Sequence, residues 1–221
     1  VAKNAEFVEF VNAVAAVALE KSPADLEGLL AASYGPEGTV AEVLQEKISK
    51  IGENLSIRRF ESLEAPGTVN VGYIHGGGRI GVVVTLETEA SQQDVMAVGR
   101  DVAMQIASMN PKFISEKDVD PEYLESEKKI LMQQAINEGK PADIVEKMVV
   151  GRLKKELKET CLLEQKFVKD NEVSVGQYVE AAAKSLGKSI LVKSMVRYEV
   201  GEGIEKKEEN FAEEVAKQMN S

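Results

Sequence analysis

The sequence predicts an α+β fold: two small antiparallel sheets packed with helices, plus an inserted antiparallel coiled-coil helical hairpin. Three observations carry that reading. Apolar residues recur at helical spacing through most of the chain. Residues 55–86 and 189–200 instead alternate apolar with other residues, as half-buried strands do. Between these stretches lie two long, strongly charged helical segments joined only by Gly139-Lys140-Pro141, a connection so short that the helices must run antiparallel.

Taken in order, Phe7, Phe10, Val11, Val14, Val17 and Ala18 place one amphipathic helix over Asn4 to Leu19, ended by Ser22-Pro23. A shorter helix follows over Ala24 to Ala32, and Tyr34-Gly35-Pro36-Glu37-Gly38 breaks the chain. Thr39 with Glu42 forms a capping box that opens the next helix, where Val40, Val43, Leu44, Ile48 and Ile51 make one stripe. After the Gly52-Glu53-Asn54 turn, a three-stranded meander is expected through Leu55 and Ile57, then Val69, Val71 and Tyr73, then Ile80, Val82, Val84 and Leu86. Ser91 with Asp94 caps a helix carrying Val95, Val98, Val102, Ile106 and Met109, which Asn110-Pro111 terminates.

Asp120-Pro121 then starts the first arm of the hairpin, and Asp143 to Lys158 forms the second, with a narrow stripe of Ile144, Val145, Met148, Val149, Leu153 and Leu157. Leu162 to Val168 reads as a short strand. Ser174 with Gln177 caps a helix closed by Gly187, Ser189 to Val200 is a long strand, and Phe211, Val215 and Met219 mark a last helix. The expected division is a first core subdomain over 1–110, a second over 111–204 interrupted by the hairpin 121–159, and a C-terminal helix over 205–221.

Composition narrows the function. The 221 residues are 43% hydrophobic, enough for a sizeable core, and carry a net charge of −10. That field repels phosphate backbones and anionic membrane surfaces, so neither direct nucleic-acid binding nor membrane association is expected. No apolar run is long enough to span a bilayer and no signal peptide is visible. The single cysteine, Cys161, makes no internal disulfide and reads as a buried small hydrophobe in a reducing compartment. The chain begins at Val1 instead of Met, which reads as a fragment or a processed chain.

His75, the only histidine, stands beside Gly76-Gly77-Gly78. Without a second histidine or a CxxC it lacks a metal-binding pattern, and no nucleophile is placed beside it, so a strand-end contact role is favoured over catalysis. The glycine run leads into a strand and lacks Gly-Lys-Ser/Thr, which makes it a hairpin turn and not a phosphate loop. Arg58 and Arg59, adjacent on a strand, would point to opposite faces. No cofactor is implied by any of these groups.

Seven ordered segments resemble the elongation factor Ts family: Val1-Ala2-Lys3-Asn4, KIGENLSIRR from Lys50, GYIHGGGRIGVVV from Gly72, NPKFI from Asn110, GKPADIVEKMVVGRLKK from Gly139, QKFV from Gln165 and VRYEVGEGIEK from Val196. The resemblance implies two subdomains, each with a small antiparallel sheet, and a guanine-nucleotide exchange factor for the translation GTPase elongation factor Tu, without catalytic chemistry of its own. It implies that Ile51, Gly52 and His75 meet the nucleotide-binding domain of that GTPase, that Phe167 and Val168 meet its third domain, and that the C-terminal helix adds a contact. Lys169 stands where some members carry an apolar residue.

The family also has a helical domain and a Thr-Asp-Phe segment directly ahead of Val-Ala-Lys. A chain starting at Val1 is therefore expected to be a fragment with weakened exchange. The resemblance places it in the cytoplasm, or in an organellar matrix or stroma, and leaves a homodimer or a heterotetramer open. Two other readings stand beside this one: a structural interaction module acting through its hairpin and sheet surface, and an enzyme using His75.

Overall fold

Residues 2–63 and 65–204 are described by a computed structural model of the chain, and they fall into two compact units, Val1–Ala65 and Pro66–Ser221. The helix expected over 205–221 lies outside the described residues.

The first unit is helical. Asn4 accepts the backbone N–H groups of Glu6 and Phe7 and so opens α1 (Ala5–Lys21), while Asp25 caps α2 (Leu26–Ala31). A two-stranded ribbon, β1 (Ser33–Gly35) and β2 (Gly38–Thr39), occupies the expected break. Thr39 and Glu42 form the full capping box of α3 (Val40–Ile51), with a left-handed Gly52 closing it. Phe10, Val14, Val17, Leu29, Val40, Val43 and Leu44 make the core.

Leu55 and Ile57 do not form the expected first strand of a meander. Residues 53–63 follow an irregular path, with Leu55, Ile57 and Phe60 packed against the helical core. The alternation is present, but its apolar side meets helices, and among the described residues no strand pairs with it. Arg58 and Arg59 accordingly do not alternate across a sheet. They line a recess of about 340 Å³ with Pro23, Asp25, Phe60 and Ser62.

The second unit is built on a sheet of order β3-β4-β7, with β3 (Thr68–His75), β4 (Ile80–Thr88) and β7 (Ile190–Glu199) antiparallel throughout. The strand expected to belong to a second sheet is thus the third strand of the first. β4 sits in the centre and is the most buried of the three. The pairing slips at one point, where Thr85 faces Ser194 and Leu86 faces Val192, so that Lys193 forms a bulge.

One face of the sheet, through Val71, Val82, Val84 and Leu86, is buried under α4 (Gln92–Met109) and α7 (Val175–Leu186). The approach of α4 is close at Gly99: a Cβ there would lie 2.5 Å from a methyl of Val71, so no larger residue fits without displacement.

Between α4 and α7 the chain leaves as α5 (Pro121–Asn137) and returns as α6 (Ala142–Thr160). The two helices have their own small cluster of Ala135, Val145 and Val149, with Leu131 against it, while Ile144 of the expected stripe is exposed. Arg152 grips Glu138 through two hydrogen bonds of 3.1 and 2.7 Å. Leu162 to Val168 is not one strand. Leu162–Glu164 is a 3₁₀ turn, and only β5 (Lys166–Phe167) pairs, with β6 (Asp170–Ser174).

Candidate partner-binding site

In the first unit, Ile51 is the last residue of α3 and half-exposed. Gly52 has φ 76° and donates its N–H to the Ile48 carbonyl at 2.9 Å. A Cβ at Gly52 would meet nothing within 4 Å, so glycine is needed there for its backbone conformation and not for space. The turn is anchored on α1: Glu6 receives Lys47 at 2.9 Å and Lys50 at 2.6 Å. The hydrogen bonds from Lys50 and Lys47 hold the Glu6 carboxyl below its ordinary value.

In the second unit, His75 ends β3, directly opposite Ile80. Its carbonyl accepts from the N–H of Gly78 at 3.3 Å and of Arg79 at 3.1 Å, closing a turn in which Gly76, Gly77 and Gly78 have φ of 59°, 66° and 96°. Three successive left-handed residues explain the glycine run. The imidazole is half-buried against Tyr73, whose hydroxyl lies 3.1 Å from Nδ1. Among the described residues the Tyr73 hydroxyl is the side-chain partner of the ring, and the pair orients the imidazole at the end of the strand.

Phe167 and Val168 lie at the β5–β6 turn, with opposite exposures. Phe167 is 3% exposed and stacks on Tyr178 of α7, with ring centroids 4.3 Å apart. Val168 is 38% exposed. Its N–H donates to Oε1 of Gln105 at 2.8 Å. The Gln105 Nε2 donates to Gln165 Oε1 at 3.0 Å and to the Lys166 carbonyl at 3.1 Å, and Gln165 Nε2 donates to the Glu159 carbonyl at 2.7 Å. Gln105 and Gln165 are 0% and 2% exposed.

On the other flank Asp101 of α4 pairs with Lys169 and accepts the Tyr178 hydroxyl at 2.7 Å. Burial, together with that bond to Asp101, pushes the Tyr178 phenol well above its ordinary value. Lys169 is therefore held against Asp101.

Sequence reasoning missed Gln105, Gln165, Asp101 and Tyr178. In sequence Gln105 sits directly before Ile106 on the stripe side of α4, and a glutamine on a core-facing turn is the one signal that could have exposed it. Cys161 is fully buried, and burial pushes its thiol above the ordinary value. Among the described residues no three His, Cys, Asp or Glu side chains converge to hold a metal ion, and no helix is long and apolar enough to cross a membrane.

Fold and site together define an α+β protein that interrupts a three-stranded sheet with a helical hairpin and exposes short turns on braced supports. A family model described as Elongation factor TS matches residues 1–202. Elongation factor Ts of Clostridioides difficile (strain 630) is 55% identical over 219 residues, covering 99% of this chain and 72% of that protein. The protein of the same name from Clostridium perfringens (strain 13 / Type A) is 53% identical over 98% of this chain and 72% of its own length, and that of Clostridium novyi (strain NT) is 48% identical over the same shares. The chain belongs to the elongation factor Ts family.

Proposed function

We propose that the chain acts in translation elongation as a guanine-nucleotide exchange factor, binding the nucleotide-free form of elongation factor Tu and thereby promoting release of GDP. The observation that carries this reading is the family match across residues 1–202. Exchange of this kind needs no bond to be made or broken on this chain. A protein that binds the empty GTPase more tightly than the GDP-bound form weakens GDP by the same factor that GDP weakens it.

Contacts made only with the empty form therefore do the work, and shape and position matter more than proton chemistry. Ile51 and Gly52 on their closed helix end, His75 on its glycine turn and Val168 on its braced turn serve as such contacts. Phe167, buried as it is, supports Val168 from beneath instead of inserting into the partner.

The test mixes the chain with elongation factor Tu carrying fluorescent GDP, recording complex formation by gel filtration and GDP release by stopped flow. A stable complex and a raised release rate are expected. Absence of a complex, with release unchanged, overturns the proposal.

A further inference from the structure

The β5–β6 turn has little secondary structure to hold it. β5 is two residues long, and its pairing with β6 is irregular between Lys166 and Phe167. What fixes the turn lies inside the protein. Gln105 occupies a core position of α4 among Val102, Ala103 and Ile106, where an apolar side chain would bury without a desolvation cost. Both ends of its amide are spent on the turn instead. The orientation of that amide is not open to a flip, because Oε1 faces a backbone donor (Val168 N–H) and Nε2 faces a backbone acceptor (Lys166 carbonyl). Gln165 completes the bracket and ties it to the end of α6 through the Glu159 carbonyl.

We propose that Gln105 and Gln165 are positioning residues: they fix the backbone at 166–168 so that Val168 meets the GTPase already in its bound geometry. This rests on the exchange-factor reading above. A turn ordered in advance avoids the ordering cost that a loose loop bears on association. The surface so presented is apolar at Val168, with the Lys169 charge matched by Asp101. The complementary patch on the partner is therefore an apolar depression and not an acidic one.

A double-mutant cycle on the full chain tests this, with Gln105→Met, Val168→Ala and the pair together. The readouts are the Kd for nucleotide-free elongation factor Tu, hydrogen exchange of the Val168 amide, and the melting temperature. Val168→Ala is expected to weaken binding about tenfold. Gln105→Met is expected to speed Val168 exchange and weaken binding to a similar extent, yet to cost less than about twofold further when Val168 is already alanine. Gln165→Leu, which leaves the Gln105–Val168 bond in place, is expected to act in the same direction but less, and it replaces Gln105→Met in the cycle if that variant does not fold.

Equal losses from the glutamine change in both backgrounds would assign it a merely structural role and overturn the proposal. Unchanged affinity of folded Gln105→Met would overturn it too. An unaltered Kd for Val168→Ala itself would instead remove Val168 from the interface, which is a failure of the docking reading and of the positioning role built on it.

Discussion

Two turns of the same unit carry expected contact residues, and they are held in opposite ways. The His75 turn is held by the chain that forms it: a strand pair in strict register, three glycines in left-handed conformations, and two hydrogen bonds back to the His75 carbonyl. The Val168 turn is held by side chains of other elements, with Gln105 and Asp101 reaching it from α4, far away in the sequence, and Tyr178 from the neighbouring α7. A turn of the first kind depends on local conformation, and its defects stay local. A turn of the second kind shares its supports with the core, so its geometry and the stability of the unit cannot be varied separately.

Three substitutions press on that contrast. The largest effect is expected from Phe167→Ala, which empties an aromatic site stacked on Tyr178 and should cost about 4 kcal/mol of stability. Urea unfolding measures it, and a loss below about 1 kcal/mol would mean that the Val168 turn is less bound to the core than its burial implies.

Next comes Gly77→Ala. Nothing lies within 4 Å of the added Cβ, so only the backbone conformation at φ 66° is penalised. About 1 kcal/mol is expected, with amide exchange altered at 76–79 and unchanged at 166–169. Altered exchange at the distant turn would break the distinction between local and remote support.

The smallest effect concerns pH. The Tyr178 phenol keeps its proton in the folded chain above 10.0, its ordinary value, where the unfolded chain gives it up. The folded state then binds more protons, so stability is fully present below that pH and falls as pH rises toward the folded value. Melting temperatures between pH 9 and pH 11, about the range spanning the unperturbed tyrosine value, should fall less steeply for Tyr178→Phe than for the unaltered chain.

The same contrast explains what could be read from the sequence. Capping boxes at Thr39 and Ser174, the Gly52 and Gly187 helix ends and the hairpin stop are local signals, and the elements they announce are present. The His75 turn belongs to this group. The Leu55–Ile57 stretch misled because alternation reports a two-faced segment and says nothing about what covers the apolar face. The pairing of β7 with β4, and the reach of Gln105 to Val168, join residues far apart in the chain, and a glutamine carries no mark of the backbone groups it will satisfy. Phe167 was expected to meet the partner, but whether an aromatic side chain faces inward or outward at a two-residue strand is decided by α7, where it stacks on Tyr178.

The helical hairpin also has a consequence for how the unit folds. At its base the chain closes on itself: Phe113 bridges to Cys161, the Thr160 carbonyl accepts from Lys112 at 2.8 Å, and Leu162 donates to the Phe113 carbonyl at 2.9 Å. The outgoing and returning segments are thereby brought side by side before β7 has to find β4. Helix pairs of nearby residues form faster than ladders between distant ones, so the excursion through α5 and α6 can be completed first. For the search that joins the last strand to the central one, the chain is then effectively shorter by the whole length of the hairpin.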